Sequence, residues 1–205
     1  MNIALVDNGV FGLDQYYVAA PGVRYRHVRV TARWRPDFGD DDVVLVPNGA
    51  DHVALFEARH ALAGVLARGG VVLCFCGFFT PWLPGNQWRH DIGAPLATLR
   101  YELAHDPLGL FDEVAPESLC VDAHGIRGGW ACGAIDTAHE ASVVLRDNVG
   151  RVLMVADRCS TRGLIIATAS GPLWDDAPTL PAEGARRVYR NVLRACRAQL
   201  EKRHG

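Results

Sequence analysis

Apolar positions in this chain follow two spacings, and the spacing changes from segment to segment. Uninterrupted blocks of four to six apolar residues stand at Ile3 to Val6, Val43 to Val46 and Val71 to Cys76. Each is released by a turn signal, respectively Asp7-Asn8-Gly9, Pro47-Asn48-Gly49 and Gly77. Blocks of that length between such turns predict strands buried on both faces of a parallel sheet. Val23 to Thr31 instead interleaves apolar residues with Arg24, Arg26 and Arg29, which predicts a half-buried strand nearer an edge. Helical spacing predicts a helix over 10–20, stopped by Pro21-Gly22. A second helix is predicted over about 52–67, with Asp51 as its N-cap and Leu55, Leu62, Val65 and Leu66 on one side.

The pattern weakens after Gly85 and then returns. Leu96 to Leu103 alternates well enough to predict a strand, and His105-Asp106-Pro107-Leu108 opens a loop-rich stretch. Ser142 to Arg146 and Arg151 to Ala156 predict a hairpin around Asp147-Asn148-Val149-Gly150, and Gly163 to Ala169 a further strand. A last helix is predicted from Pro181 to about Lys202, its buried stripe formed by Ala185, Val188, Tyr189, Val192, Cys196 and Leu200. The opening β-α-β-β-α-β order with short connections predicts an α/β fold. The expectation is one domain over 1–205, a three-layer sandwich on a mostly parallel doubly wound sheet with an antiparallel extension.

Composition narrows the partners more than the chemistry. A hydrophobic share of 49%, a charged share of 21% and a net charge of −2 carry no signature of nucleic-acid or membrane binding. The arginines of the last helix read as a solvated face. No apolar run approaches the roughly 20 residues that span a bilayer. MNIALVDNG reads as a first strand rather than a signal peptide. Cysteines at 74, 76, 120, 132, 159 and 196 have no framework spacing, so reduced thiols in a cytoplasm are expected.

The layout from Val43 to Gly77, with Gly69-Gly70 preceding a strand that ends at Cys76-Gly77, resembles the class I glutamine amidotransferase-like superfamily. The similarity extends to its flavodoxin-like, trehalose-utilisation-type branches through His105 to Leu108 followed by Leu110-Phe111-Asp112, and through Leu164 to Ala169 running into Ser170-Gly171-Pro172-Leu173. The catalytic members carry a Gly-x-Cys-x-Gly elbow that presents the thiol beside backbone N–H donors. Here the residues around Cys76 are Cys74 and Phe78, Pro81 and Pro84 interrupt any following helix, and no late His-x-Glu follows the last core strand. The resemblance therefore implies the fold without the glutamine-hydrolysing set.

Three functions remain open on these residues. The leading one is a degenerate, non-glutaminase domain that binds a small polar ligand or a protein partner at the carboxyl edge of the sheet. Asp7, Asn8, Asn48, Asp51, Gly77 and Cys76 would contact the ligand, and Trp82 and Trp174 would cover it. The second is a cysteine hydrolase or amidase with Cys76 as nucleophile, His52 or His105 as base and the Gly77 N–H in an oxyanion hole. The third is an assembly subunit that docks through the aromatic loop 78–88. No motif calls for a cofactor, and self-association stays open. Cys120, His124, Cys132 and His139 do not repeat a structural-zinc spacing, so no metal is expected.

Overall fold

The protein is built on an eight-stranded mixed sheet with a separate two-stranded antiparallel sheet beside it. The computed structural model describes every residue except Phe11, 92–93, 121–127, 176–182, Gly205 and the side chain of His204. Phe11 of the first expected helix, His124 of the cysteine-histidine set and Pro181 at the last helix start lie outside the described residues.

The three apolar blocks become β1 (Asn2–Asp7), β3 (Val43–Val46) and β4 (Val71–Cys74), and the arginine-interleaved segment becomes β2 (Arg24–Arg29). With β10 (Leu164–Thr168) they form five parallel strands in the order β2-β1-β3-β4-β10. β3, β4 and β10 are buried at every position, as continuous apolar runs require. β2 is the edge strand. On the other side of β10 the sheet turns antiparallel through β9 (Val152–Asp157), β8 (Val143–Asp147) and β6 (Tyr101–Leu103). β8 and β9 are the expected hairpin.

The expected helix over 10–20 is a single turn, α1 (Leu13–Tyr16). It stops because Tyr17 leaves helical geometry to reach inward, where its hydroxyl donates to the Leu173 carbonyl at 2.9 Å. The helix over 52–67 is divided at Ala58 into α2 (His52–Glu57) and α3 (Arg59–Ala67). At that joint the Arg59 guanidinium donates to the Phe56 carbonyl at 2.7 Å and lies over the Phe56 ring. The last helix is α4 (Glu183–His204), with Tyr189 buried beneath it against the rings of Tyr17 and Phe75.

Two expectations need correction. The segment Leu96–Leu103 is a strand only at its end, because Leu96–Thr98 forms a 3-10 turn and the Arg100 N–H is taken by the Asn148 side chain at 2.9 Å. The weak stretch after Gly85 holds β5 (Asn86–His90) and, later, β7 (Gly133–Thr137), which pair antiparallel with Trp88 opposite Ile135.

Candidate functional site

The five parallel strands deliver their carboxyl ends to one edge. Strand order reverses between β1, which leads out to β2, and β3, which leads on to β4. Open α/β sheets take ligands in the crevice at such a reversal. A cavity of about 360 Å³ lies there. The turn after β3 contributes Pro47, Asn48 and Gly49, and the segment through α1 contributes Val10, Leu13, Tyr16 and Tyr17. The chain beyond β10 contributes Pro172 and Trp174.

That last segment arches back across the strand ends. Ser170 turns it with φ 66, a left-handed conformation that costs a side-chain-bearing residue on the order of 1 kcal/mol and is often found at functional sites. The arch is then pinned at successive points. The Ser170 hydroxyl reaches Asn48 Oδ1 at 3.5 Å, and Trp130 Nε1 donates to the Pro172 carbonyl at 2.9 Å. The Asp175 N–H donates to the Tyr16 carbonyl at 2.9 Å. Gly171 is needed here because a Cβ would sit 2.4 Å from the Trp130 ring. Held this way, the rings of Trp174 and Tyr16 meet with centroids 5.9 Å apart and planes inclined by 35°.

Of the expected ligand contacts, Asn48 and Trp174 line this cavity. Asn48 Oδ1 accepts from the Gly49 N–H at 3.0 Å, which leaves its amide N–H pair as donors. Asn8 ties the two turns together, donating to the Gly49 carbonyl at 2.9 Å, while its Oδ1 is buried without a partner among the described residues. Asp7 accepts from the Gly9 N–H at 2.8 Å and faces His27 Nδ1 at 3.2 Å. The Gly9 donor, joined by His27 and Arg29 and opposed by partial burial, holds the Asp7 carboxyl below its ordinary value. Asp51 caps α2, accepting from the Val53 and Ala54 N–H groups at 2.9 and 3.1 Å.

Cys76 is 1% exposed, and its sulfur lies 3.8 Å from that of Cys74. Burial, followed by that neighbouring thiol, pushes the Cys74 thiol well up. Among the described residues no imidazole hydrogen-bonds either sulfur. The His52 ring instead meets the exposed Phe79 ring at 5.0 Å, and His105 is exposed in its loop. Gly77 lies under the Trp88 indole, whose ring atoms would stand 3.0 Å from a Cβ there. Trp82 is buried edge-on against Phe78 rather than over the cavity. Phe79 stays exposed in that aromatic loop, while Phe78, Trp82 and Trp88 are buried.

Sequence reasoning missed Tyr16, Leu13, Pro47 and Pro172 as cavity residues. It also missed His27, whose two ring nitrogens face Asp7 at 3.2 Å and Asp14 at 3.1 Å. The alternation of β2 carried a signal for it, since Tyr25 and His27 share the face turned toward α1 and α4. Tyr25 shows this in its hydroxyl contact with Tyr189 at 2.7 Å.

Among the described residues, no group of three His, Cys, Asp or Glu side chains is arranged to hold a metal ion, and no helix is long and apolar enough to cross a membrane. No family model, curated protein or solved structure matches the chain.

Proposed function

We propose that this protein is a flavodoxin-like, amidotransferase-like domain without glutaminase chemistry, which binds a small polar ligand at the carboxyl edge of its sheet. The observation that carries the reading is the cavity of about 360 Å³ at the strand-order reversal. Its volume falls at the lower end of small-molecule sites, which run from about 300 to 1,000 Å³. The order β2-β1-β3-β4-β10 supports the flavodoxin-like part, since it repeats the doubly wound arrangement whose switch point lies between the first and third strands. Six cysteines, none of them in a disulfide, support a reducing, cytoplasmic setting.

The test is thermal unfolding against a broad metabolite panel. A ligand that binds only the folded state raises the melting temperature with concentration. Asn48→Ala and Trp174→Ala are expected to keep a cooperative transition and lose the ligand-dependent rise. A rise that survives both substitutions would locate binding elsewhere and end the proposal for this cavity.

A further inference from the structure

The cavity's chemistry narrows what it takes. We propose that the ligand is a neutral nucleobase-type heterocycle, as the free base or the nucleoside, lying against the Tyr16–Trp174 wall with a hydrogen-bond acceptor turned to Asn48. This rests on the reading of the cavity as a ligand site.

Three observations lead to it. No charged side chain lines the cavity among the described residues, so a carboxylate, phosphate or ammonium group would lose water there without gaining a partner. The wall is aromatic and faceted: Tyr16 and Trp174 are half-buried, and their inclined rings offer a planar ligand a surface to stack against. Base–aromatic stacking of this kind depends on the π-face and not on charge. Asn48, the cavity's one amide side chain, has its oxygen engaged by the Gly49 N–H and its amide hydrogens unengaged among the described residues. It therefore selects a ring nitrogen or ring carbonyl as its partner. Tyr17 adds no donor, because its hydroxyl is committed to the Leu173 carbonyl and burial pushes its ionisation well up. A volume of about 360 Å³ suits one base with or without a sugar.

Isothermal titration of the full chain with adenosine, inosine, adenosine monophosphate, ribose and glutamine tests this. Saturable binding of a nucleoside is expected, with ribose and glutamine silent and the monophosphate no tighter than adenosine. Trp174→Ala should weaken nucleoside binding about fivefold or more, as loss of one stacking partner does, while Trp174→Phe retains most of it. Far-UV circular dichroism of each variant confirms folding before titration. Binding of glutamine or ribose with no nucleoside binding would overturn the heterocycle and leave the cavity reading standing. A monophosphate at least tenfold tighter than adenosine would overturn its neutrality. Nucleoside binding undiminished in both Trp174 variants and in Asn48→Ala would overturn the site itself.

Discussion

Asp157 offers the sharpest test of how the two sheets are joined. It ends β9 with no exposed surface, yet no cation meets it among the described residues; its oxygens are satisfied by four donors. Oδ1 accepts from the Cys159 and Ser160 N–H groups at 2.7 and 3.0 Å. Oδ2 accepts from Asn86 Nδ2 at 2.9 Å and the Ser160 hydroxyl at 2.5 Å. Asn86 begins β5, so one carboxylate fastens both the loop after β9 and the two-stranded sheet. Asp157→Ala leaves the buried Asn86 donor and the part-buried Cys159 and Ser160 N–H groups without an acceptor; a buried orphan costs about 1–3 kcal/mol and one that water can reach costs less. A destabilisation of about 2–4 kcal/mol is expected, most of it from the buried Asn86 end. Asp157→Asn keeps the Oδ1 bonds and loses charge and one acceptor, for about 2 kcal/mol.

Urea unfolding followed by circular dichroism reads both variants, with the m-value expected to stay constant. Burial raises the Asp157 carboxyl, but the donors from Ser160, Cys159 and Asn86 outweigh it and bring the value below the ordinary one. Its contribution is therefore complete above the unfolded value of about 3.9 and is lost as pH falls through the lower folded value. The gap between wild type and Asp157→Asn should narrow on acidification below about pH 4. An Asp157→Ala variant within about 1 kcal/mol of wild type would refute the reasoning, because the buried Asn86 donor alone costs about that much when orphaned.

Asp51→Ala should lower stability by about 1 kcal/mol through loss of the α2 cap, read as a shift in urea midpoint; an unchanged midpoint would mean that the Val53 and Ala54 N–H groups find water at no cost. Iodoacetamide followed by mass spectrometry should modify the exposed Cys132 and Cys159 in the native protein. Cys74, Cys76, Cys120 and Cys196 should react only on unfolding, with burial pushing the Cys196 thiol up to about 12. Native modification of Cys76 would restore the nucleophile reading.

The parallel core was legible because its signals are local. Val43–Val46 and Val71–Cys74 announce themselves as apolar blocks between turns, and Asp51 stands where a cap must. β5 and β7 were not legible, since Asn86-Gln87-Trp88-Arg89-His90 has one large apolar residue and becomes a strand only through a partner far along the chain. The site was half legible. Asn48 and Trp174 could be placed at strand ends, but sequence could not show that the chain after β10 arches back to α1. That arch brings Trp174 to Tyr16 at the carboxyl edge of the sheet, where the nucleophile reading required an accessible Cys76 and the thiol is buried instead. Tyr16 read as part of a helix, and Trp82 as a cover, because periodicity reports which residues are apolar and not which neighbour claims them.

The central place of β10 has a consequence for how the chain reaches this structure. Its antiparallel partner β9 precedes it across one short turn, whereas its parallel partner β4 lies on the far side of all the residues from 75 to 163. Closing the first pairing loses little chain entropy, and closing the second must bridge that whole length. The β8–β9–β10 meander is therefore expected to form before β10 pairs with β4. Until it does, Val71–Cys74 presents an unpaired and wholly apolar strand edge to any other unfolded copy. Refolding yield should thus fall with protein concentration.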